Sequence, residues 1–219
     1  MDKLRRSRAK NKYPKNRIEI KNLELVRKKR LQIAVGASKL FVKKGFHQAT
    51  MREICKATGF SIGNLYNYIK TRDDVLCLVF ETFFSIWSRQ LENEGIFDIE
   101  DPVEQLRMAI RKRVELINQV RDMVFLMYTE AKLLPRDFLR TILNEENHLV
   151  KNYERILRNG IEKKVFKIKD PFFVANVIVY LLAIEPLRGW NLKRYSISQI
   201  NRRLEKYIFS LVMNCEEQN

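Results

Sequence analysis

Along most of the chain, apolar residues return every three or four positions, the period of a helix with one buried face. From Leu23, the positions Leu31, Val35, Leu40 and Phe41 predict a first helix that stops at Gly45, with Lys43 and Lys44 at the negative end of its dipole. The stretch "TMREICKATG" opens a second. The Thr50 hydroxyl can accept from the Glu53 amide while the Glu53 carboxylate reaches back to the Thr50 amide, and Gly59 ends the helix after barely two turns. "FSIGNLYNYI" predicts a third, equally short, from Ser61 as N-cap to about Tyr68, with Ile62, Leu65 and Ile69 as its buried stripe. Thr71 caps the fourth, whose first turn carries Asp73 and Asp74 and whose apolar positions run on to about Leu91.

Later starts are marked by an acid followed by proline, Asp101-Pro102 and Asp170-Pro171, which supplies a capping oxygen and then a residue with no amide to satisfy. Between them lie a helix through "RDMVFLMYTEAK" and another opened by Pro135. Glu185-Pro186 should end or kink the helix begun at Pro171, and Ser196 with Gln199 caps the last. The pattern is all-α, about nine helices with no strand. Few glycines and prolines, seven and five, agree with it.

Charge divides the 219 residues. Residues 1–76 hold 20 Lys and Arg against 6 Asp and Glu, whereas 77–219 hold 22 against 20. One end is built for a polyanion and the other is nearly neutral. The predicted organisation is a flexible basic arm over 1–22, a DNA-binding domain over 23–76 and a helical effector-binding and dimerisation domain over 77–219. Cys55, Cys77 and Cys215 form no CxxC and no metal-ligand spacing, so a reducing cytoplasm is expected and neither a metal nor a cofactor. The apolar run Phe172 to Ile184, broken by Asn176, is too short to span a bilayer, so no membrane partner is expected. Two isolated histidines, no GxSxG and no phosphate loop argue against an enzyme.

Two short helices joined by "TGF" form a helix-turn-helix pattern, whose second helix can enter the major groove of B-DNA. The run "RLQIAVGASKLFVKKGFHQATMREICKATGFSIGNLYNYIKTRDDVL" closely resembles the N-terminal domain of tetracycline-repressor-type (TetR) regulators. Leu40-Phe41, Gly45-Phe46, Thr50, Ile54, Gly59, Ser61, Gly63, Leu65-Tyr66, Tyr68 and the acidic start of helix four fall in order. Ile69 and Met51 depart from the pattern at core positions, and Arg72 replaces a usual lysine. The resemblance implies a homodimeric regulator, a repressor by expectation, that binds a palindromic double-stranded operator and releases it on binding a small-molecule effector.

By chemistry, Gly63 lets the backbone approach DNA, Asn64 offers a donor and an acceptor to a base edge, and Tyr66 and Tyr68 can reach phosphates or thymine methyls. Asn67 is open between contact and solvent. Thr50, Ser61, Lys70 and Arg72 complete the DNA-binding set, and Arg5, Arg6 or Arg8 of the arm could enter a minor groove. For the effector, Phe83, Trp87, Phe125, Tyr128, Glu130 and Trp190 are candidate contacts. "MYTEAKLLPRDFL" and "EPLRGWNLKRYS" are similar to a fatty-acid-metabolism branch of the family responding to long acyl-CoA thioesters. An aromatic or cationic drug, and a non-specific architectural role on DNA, are the alternatives. Arg111, Lys112 and Arg113 could meet the CoA phosphates at the mouth of an acyl tunnel, but an ordinary exposed face is the preferred reading of that triplet. The dimer interface is expected from Val174, Val177, Ile178 and Leu181 on one helix and Ile200, Leu204, Ile208 and Leu211 on another.

Overall fold

The computed structural model describes residues 23–213. The basic arm and Cys215 lie outside them. Eleven α-helical segments and no strand occur among the described residues: α1 (Leu23–Lys44), α2 (Met51–Thr58), α3 (Ile62–Tyr66), α4 (Arg72–Trp87), α5 (Gln90–Asn93), α6 (Pro102–Gln119), α7 (Arg121–Glu130), α8 (Arg136–Glu162), α9 (Pro171–Leu182), α10 (Ile184–Arg188) and α11 (Ile197–Met213). The all-α expectation holds, and the two extra segments are short pieces cut from the ends of longer runs. The fourth helix breaks after Trp87, leaving α5 separate. The break before α10 falls at Ala183 because Pro186 has no amide to donate back to Leu182.

The predicted caps form. The Thr50 amide donates to Glu53 Oε2 at 3.0 Å and the Glu53 amide to Thr50 Oγ1 at 3.3 Å. The Thr71 and Asp74 pair does the same for α4 at 2.8 and 3.1 Å. Asp101 and Asp170 accept from the Val103 and Phe173 amides at 3.2 and 3.0 Å.

The buried face of α1 differs in part from the predicted one. Phe41 is buried and Leu40 packs on the core as expected, but Leu31 and Val35 are exposed, and Ile33, Ala34, Ala37 and Ser38 face inward instead. Small residues let α1 lie close on the end of α2: a Cβ at Gly36 would stand 2.7 Å from the Ala57 carbonyl oxygen. Gln32 Nε2 donates to the Thr58 carbonyl at 2.8 Å across the same crossing. Helix α4 packs on α1 and also on α7 and α8, while α1 itself reaches α7, so these two helices join both parts of the core. Below it, α6 and α8 are tied by Tyr153, whose hydroxyl donates to the Ala109 carbonyl at 3.1 Å. Helices α9 and α11 close the far side.

On α9 and α11 the expected interface residues divide. Ile178, Ile200, Leu204 and Ile208 are buried within the chain, because their stripe is the one that fixes these two helices to α6 and α8. Val174, Val177 and Leu181 are half-buried and Leu211 is exposed. Facing outward instead are Phe173, Tyr180 and Tyr207, each more than 60% exposed.

Candidate nucleic-acid interface and effector core

The turn between α2 and α3 depends on Gly59, which adopts φ 73°, a left-handed conformation that glycine reaches without strain, and returns its amide to the Cys55 carbonyl. Ser61 then starts α3 by accepting from the Asn64 amide at 3.3 Å. The helix is shorter than expected, ending at Tyr66, after which the Tyr68 and Ile69 amides both return to the Leu65 carbonyl. Leu65 and Ile69 are buried and hold the segment to the domain. Ile62 does not. It is 50% exposed, since a five-residue helix has room for one inward position per turn and Leu65 takes it.

The outward surface therefore carries Ser61, Ile62, Gly63, Asn64, Tyr66 and Asn67 together, with Lys70 and Thr50 exposed beside them. A Cβ at Gly63 would meet nothing within 4 Å, so the fold itself does not require glycine there. Tyr68 is half-buried, its ring edge-on to Phe60 at 5.8 Å. Arg72 is less free than its expected phosphate role needs. Its guanidinium lies over the Phe46 ring at 4.6 Å, donates to the His47 carbonyl at 2.6 Å, and leaves Nε buried without a partner. It thereby ties the turn before α2 to the start of α4. Lys44 and the Thr50 cap hold Glu53, with Lys44 Nζ 2.5 Å from Glu53 Oε1, and pull its carboxyl down to about 2.

The candidate effector residues do not converge as a set. Phe83 and Trp87 are buried and stacked at 4.6 Å. Phe125 and Glu130 are half-buried on α7. The Tyr128 ring meets Tyr180 edge-on at 6.1 Å, and its hydroxyl donates to Glu146 at 3.4 Å. Burial and the Glu146 charge raise the Tyr128 phenol above its ordinary range. Trp190 is 65% exposed beyond α10, under the Arg188 guanidinium, so it lines no internal site within one chain.

Of two further residues in this core, the sequence pattern misplaces one and leaves the other unmarked. Arg113, read as part of an exposed basic face, is 1% exposed. Successive helical residues turn by about 100°, so the triplet is split: Arg111 pairs with Glu205, Lys112 pairs with Glu94, and Arg113 points inward. The signal was present in its register, since Leu106, Ile110, Arg113 and Ile117 follow the apolar period of α6. The second is Glu146 on α8. Burial raises its carboxyl above the ordinary value, and Oε2 has no partner.

A short helix presented on a corner glycine and a neutral helical core beneath it define a helix-turn-helix DNA-binding regulator. Residues 33–76 match the model of bacterial regulatory proteins of the tetR family, and residues 100–183 match the tetracyclin repressor-like C-terminal domain. The chain belongs to the TetR family of transcriptional regulators, which are not enzymes. It is 27% identical over 176 residues to the HTH-type transcriptional regulator HbdR of Aromatoleum sp. (strain CIB), covering 79% of this chain and 73% of that protein. To the fatty acid metabolism regulator protein of Bacillus subtilis (strain 168) it is 22% identical over 194 residues, 86% of this chain and 97% of that one. The solved structure of FadR from Bacillus subtilis with stearoyl-CoA shares the fold at a TM-score of 0.66 and 20% identity, over 83% of this chain and 98% of that chain. Among the described residues, no helix is long and apolar enough to cross a membrane and no cluster of metal-ligating side chains occurs.

Proposed function

We propose that the protein is a dimeric repressor, its two α3 helices reading the half-sites of a palindromic operator and releasing it when an acyl-type effector enters the helical core. The carrying observation is the division of α3 by face. Gly63, Asn64 and Tyr66 are presented outward on a scaffold held by buried Leu65 and Ile69, and no intramolecular contact explains an open glycine at 63. Asn64 is the base-reading residue. Tyr66, Asn67, Lys70 and the Thr50 and Ser61 caps position the helix on phosphates. Tyr68 and Arg72 act mainly by bracing that surface.

Two copies meet through the outward faces of α9 and α11. Phe173, Val177 and Tyr180 lie at i, i+4 and i+7 on one helix, and Tyr207 and Leu211 at i and i+4 on the other, a stripe suited to a four-helix interface. The family likeness supports an effector, and the names of the fatty acid metabolism regulator and the stearoyl-CoA complex favour an acyl-CoA. A buried arginine at the centre of the core supports the same class over an organic cation, which would meet like charge there.

The test uses a duplex selected by the protein from a randomised pool and read by fluorescence anisotropy. Affinity at least a thousandfold above random duplex, lost on adding dodecanoyl-CoA, is the expected result. Equal affinity for both duplexes would sink the operator reading, and an operator affinity unchanged by both dodecanoyl-CoA and dodecanoate would sink the effector.

A further inference from the structure

Arg113 is fully enclosed among α4, α6 and α8, yet it forms no ion pair with any described carboxylate. Its guanidinium lies 4.0 Å over the Trp87 ring, donates from Nη1 to the Trp87 carbonyl at a long 3.4 Å, and is attracted to the Tyr153 hydroxyl. Glu146 and Glu92 reach it only through longer-range attraction. Nε has no partner, and neither does the indole Nε1 of Trp87. Buried donors without acceptors are rare in native proteins, because each loses its hydration without replacement. Here two such donors belong to residues already in contact, and one carries a full charge.

We propose that Arg113 and the Trp87 indole form the headgroup seat of the effector site and receive the acyl oxygen of the ligand, a carboxylate or a thioester carbonyl. This rests on the effector reading above and gives it residues. Both orphaned groups are donors, so the ligand must offer an acceptor. The neighbouring Phe83 and Tyr153 rings are apolar and buried, so the rest of the ligand is a chain or ring that water rejects. An organic cation seated on this pair would meet the Arg113 charge, and a plain hydrocarbon leaves both donors unanswered.

The seat also connects to the DNA side. Trp87 is the last residue of α4, and its carbonyl is held by Arg113. A ligand that draws the guanidinium toward itself frees the end of the helix whose other end carries Thr71, Arg72 and the recognition module.

Isothermal titration of the full-length protein with dodecanoate and with dodecanoyl-CoA tests the seat and separates the two sources of the acyl oxygen. Wild type should bind at least one, and the tighter probe names the source. Arg113→Met should weaken that binding tenfold or more, and Trp87→Phe several-fold, while Arg113→Lys keeps part of it. Ligand-free Arg113→Met should melt no lower than wild type, since an unpaired buried cation is replaced by a side chain of similar length. If Arg113→Met binds and releases operator as wild type does, the seat is wrong and the acyl-responsive reading stands. If Arg113→Met does not fold, Trp87→Phe decides, and wild-type affinity in that variant overturns the seat. Failure of wild type to bind either probe overturns both.

Discussion

The DNA-binding module and the helical core below it use polar residues in opposite ways. On α2 and α3, the polar side chains that matter face water, and the fold needs only Leu65, Ile69 and a few caps to hold them there. In the core, the polar groups that matter are taken out of water: Arg113 wholly, over Trp87, and Glu146 in part, with Oε2 buried beside the Tyr128 side chain. A surface site is cheap to fold, because each unpaired group remains hydrated until DNA replaces the water. An enclosed site carries its desolvation cost in every ligand-free molecule. Recognition and sensing thus differ in when the cost of desolvation falls.

Glycines break this comparison most directly, since three of them have different neighbours. A Cβ at Gly160 would lie 1.9 Å from the Phe166 ring, which is itself buried. Gly160→Ala should destabilise the protein by about 3 kcal/mol, read by urea unfolding. Gly36→Ala meets backbone on α2 and should cost about 2 kcal/mol. Gly63→Ala meets nothing and should leave the unfolding midpoint unchanged while weakening operator binding tenfold or more. A stability loss at Gly63 would mean that this glycine serves the fold rather than the DNA.

Within the recognition surface, the contrast between reading and positioning can be measured. Asn64→Ala should cost about 1 to 3 kcal/mol on the selected operator and relax preference at one base pair. Lys70→Ala should weaken binding similarly on all sequences and lower the salt slope by about 1. Equal losses on operator and random duplex for Asn64→Ala would remove it from base readout.

The module was more legible in the sequence than the core for a physical reason. Caps and corner glycines act within four residues, so Thr50 with Glu53, Gly59 and Ser61 declare themselves locally. Ile62, Leu31 and Val35 depart from the pattern because apolar character does not fix burial: short or amphipathic helices expose many apolar residues. In the core, function depends on which face of a helix meets which neighbour. Arg113 looked like its exposed neighbours Arg111 and Lys112, and only its register with Leu106 and Ile110 told otherwise. Ile178, Ile200, Leu204 and Ile208 form apolar stripes, but a stripe does not say whether its partner lies in the same chain. Trp190 shares a residue type with Trp87 and none of its burial.

Glu146 sharpens the cost of enclosure. Its raised carboxyl means that the folded state favours the neutral acid, so its contribution is complete below the unfolded value near 4.5 and is lost as pH rises through the higher folded value. Ionising Glu146 costs the fold solvation that Arg113 offsets only in part. Glu146→Gln keeps an oxygen for the Tyr128 hydroxyl and should raise the melting temperature at pH 7 by roughly 2 °C. The advantage should vanish below pH 4.5. A variant that melts lower than wild type at pH 7 would show that the charge is fully compensated.

Glu53 supplies the opposite sign on the exposed module, with the smallest effect. The Lys44 ammonium and the Thr50 groups hold its carboxyl down to about 2, so ionisation favours the fold. That stability is present above the unfolded value near 4.5 and fades as pH falls from there toward 2. Because the pair is exposed, water and salt screen it, and the effect belongs to the acid limb of a melting curve rather than to neutral pH. Glu53→Gln retains an acceptor for the Thr50 amide but loses the Lys44 attraction. It should flatten that limb between pH 4.5 and 2, most clearly at low salt, and leave Glu146 behaviour untouched. Identical acid limbs in the two proteins would mean that the capping box works through geometry alone, with the Lys44 charge contributing nothing to the helix it adjoins.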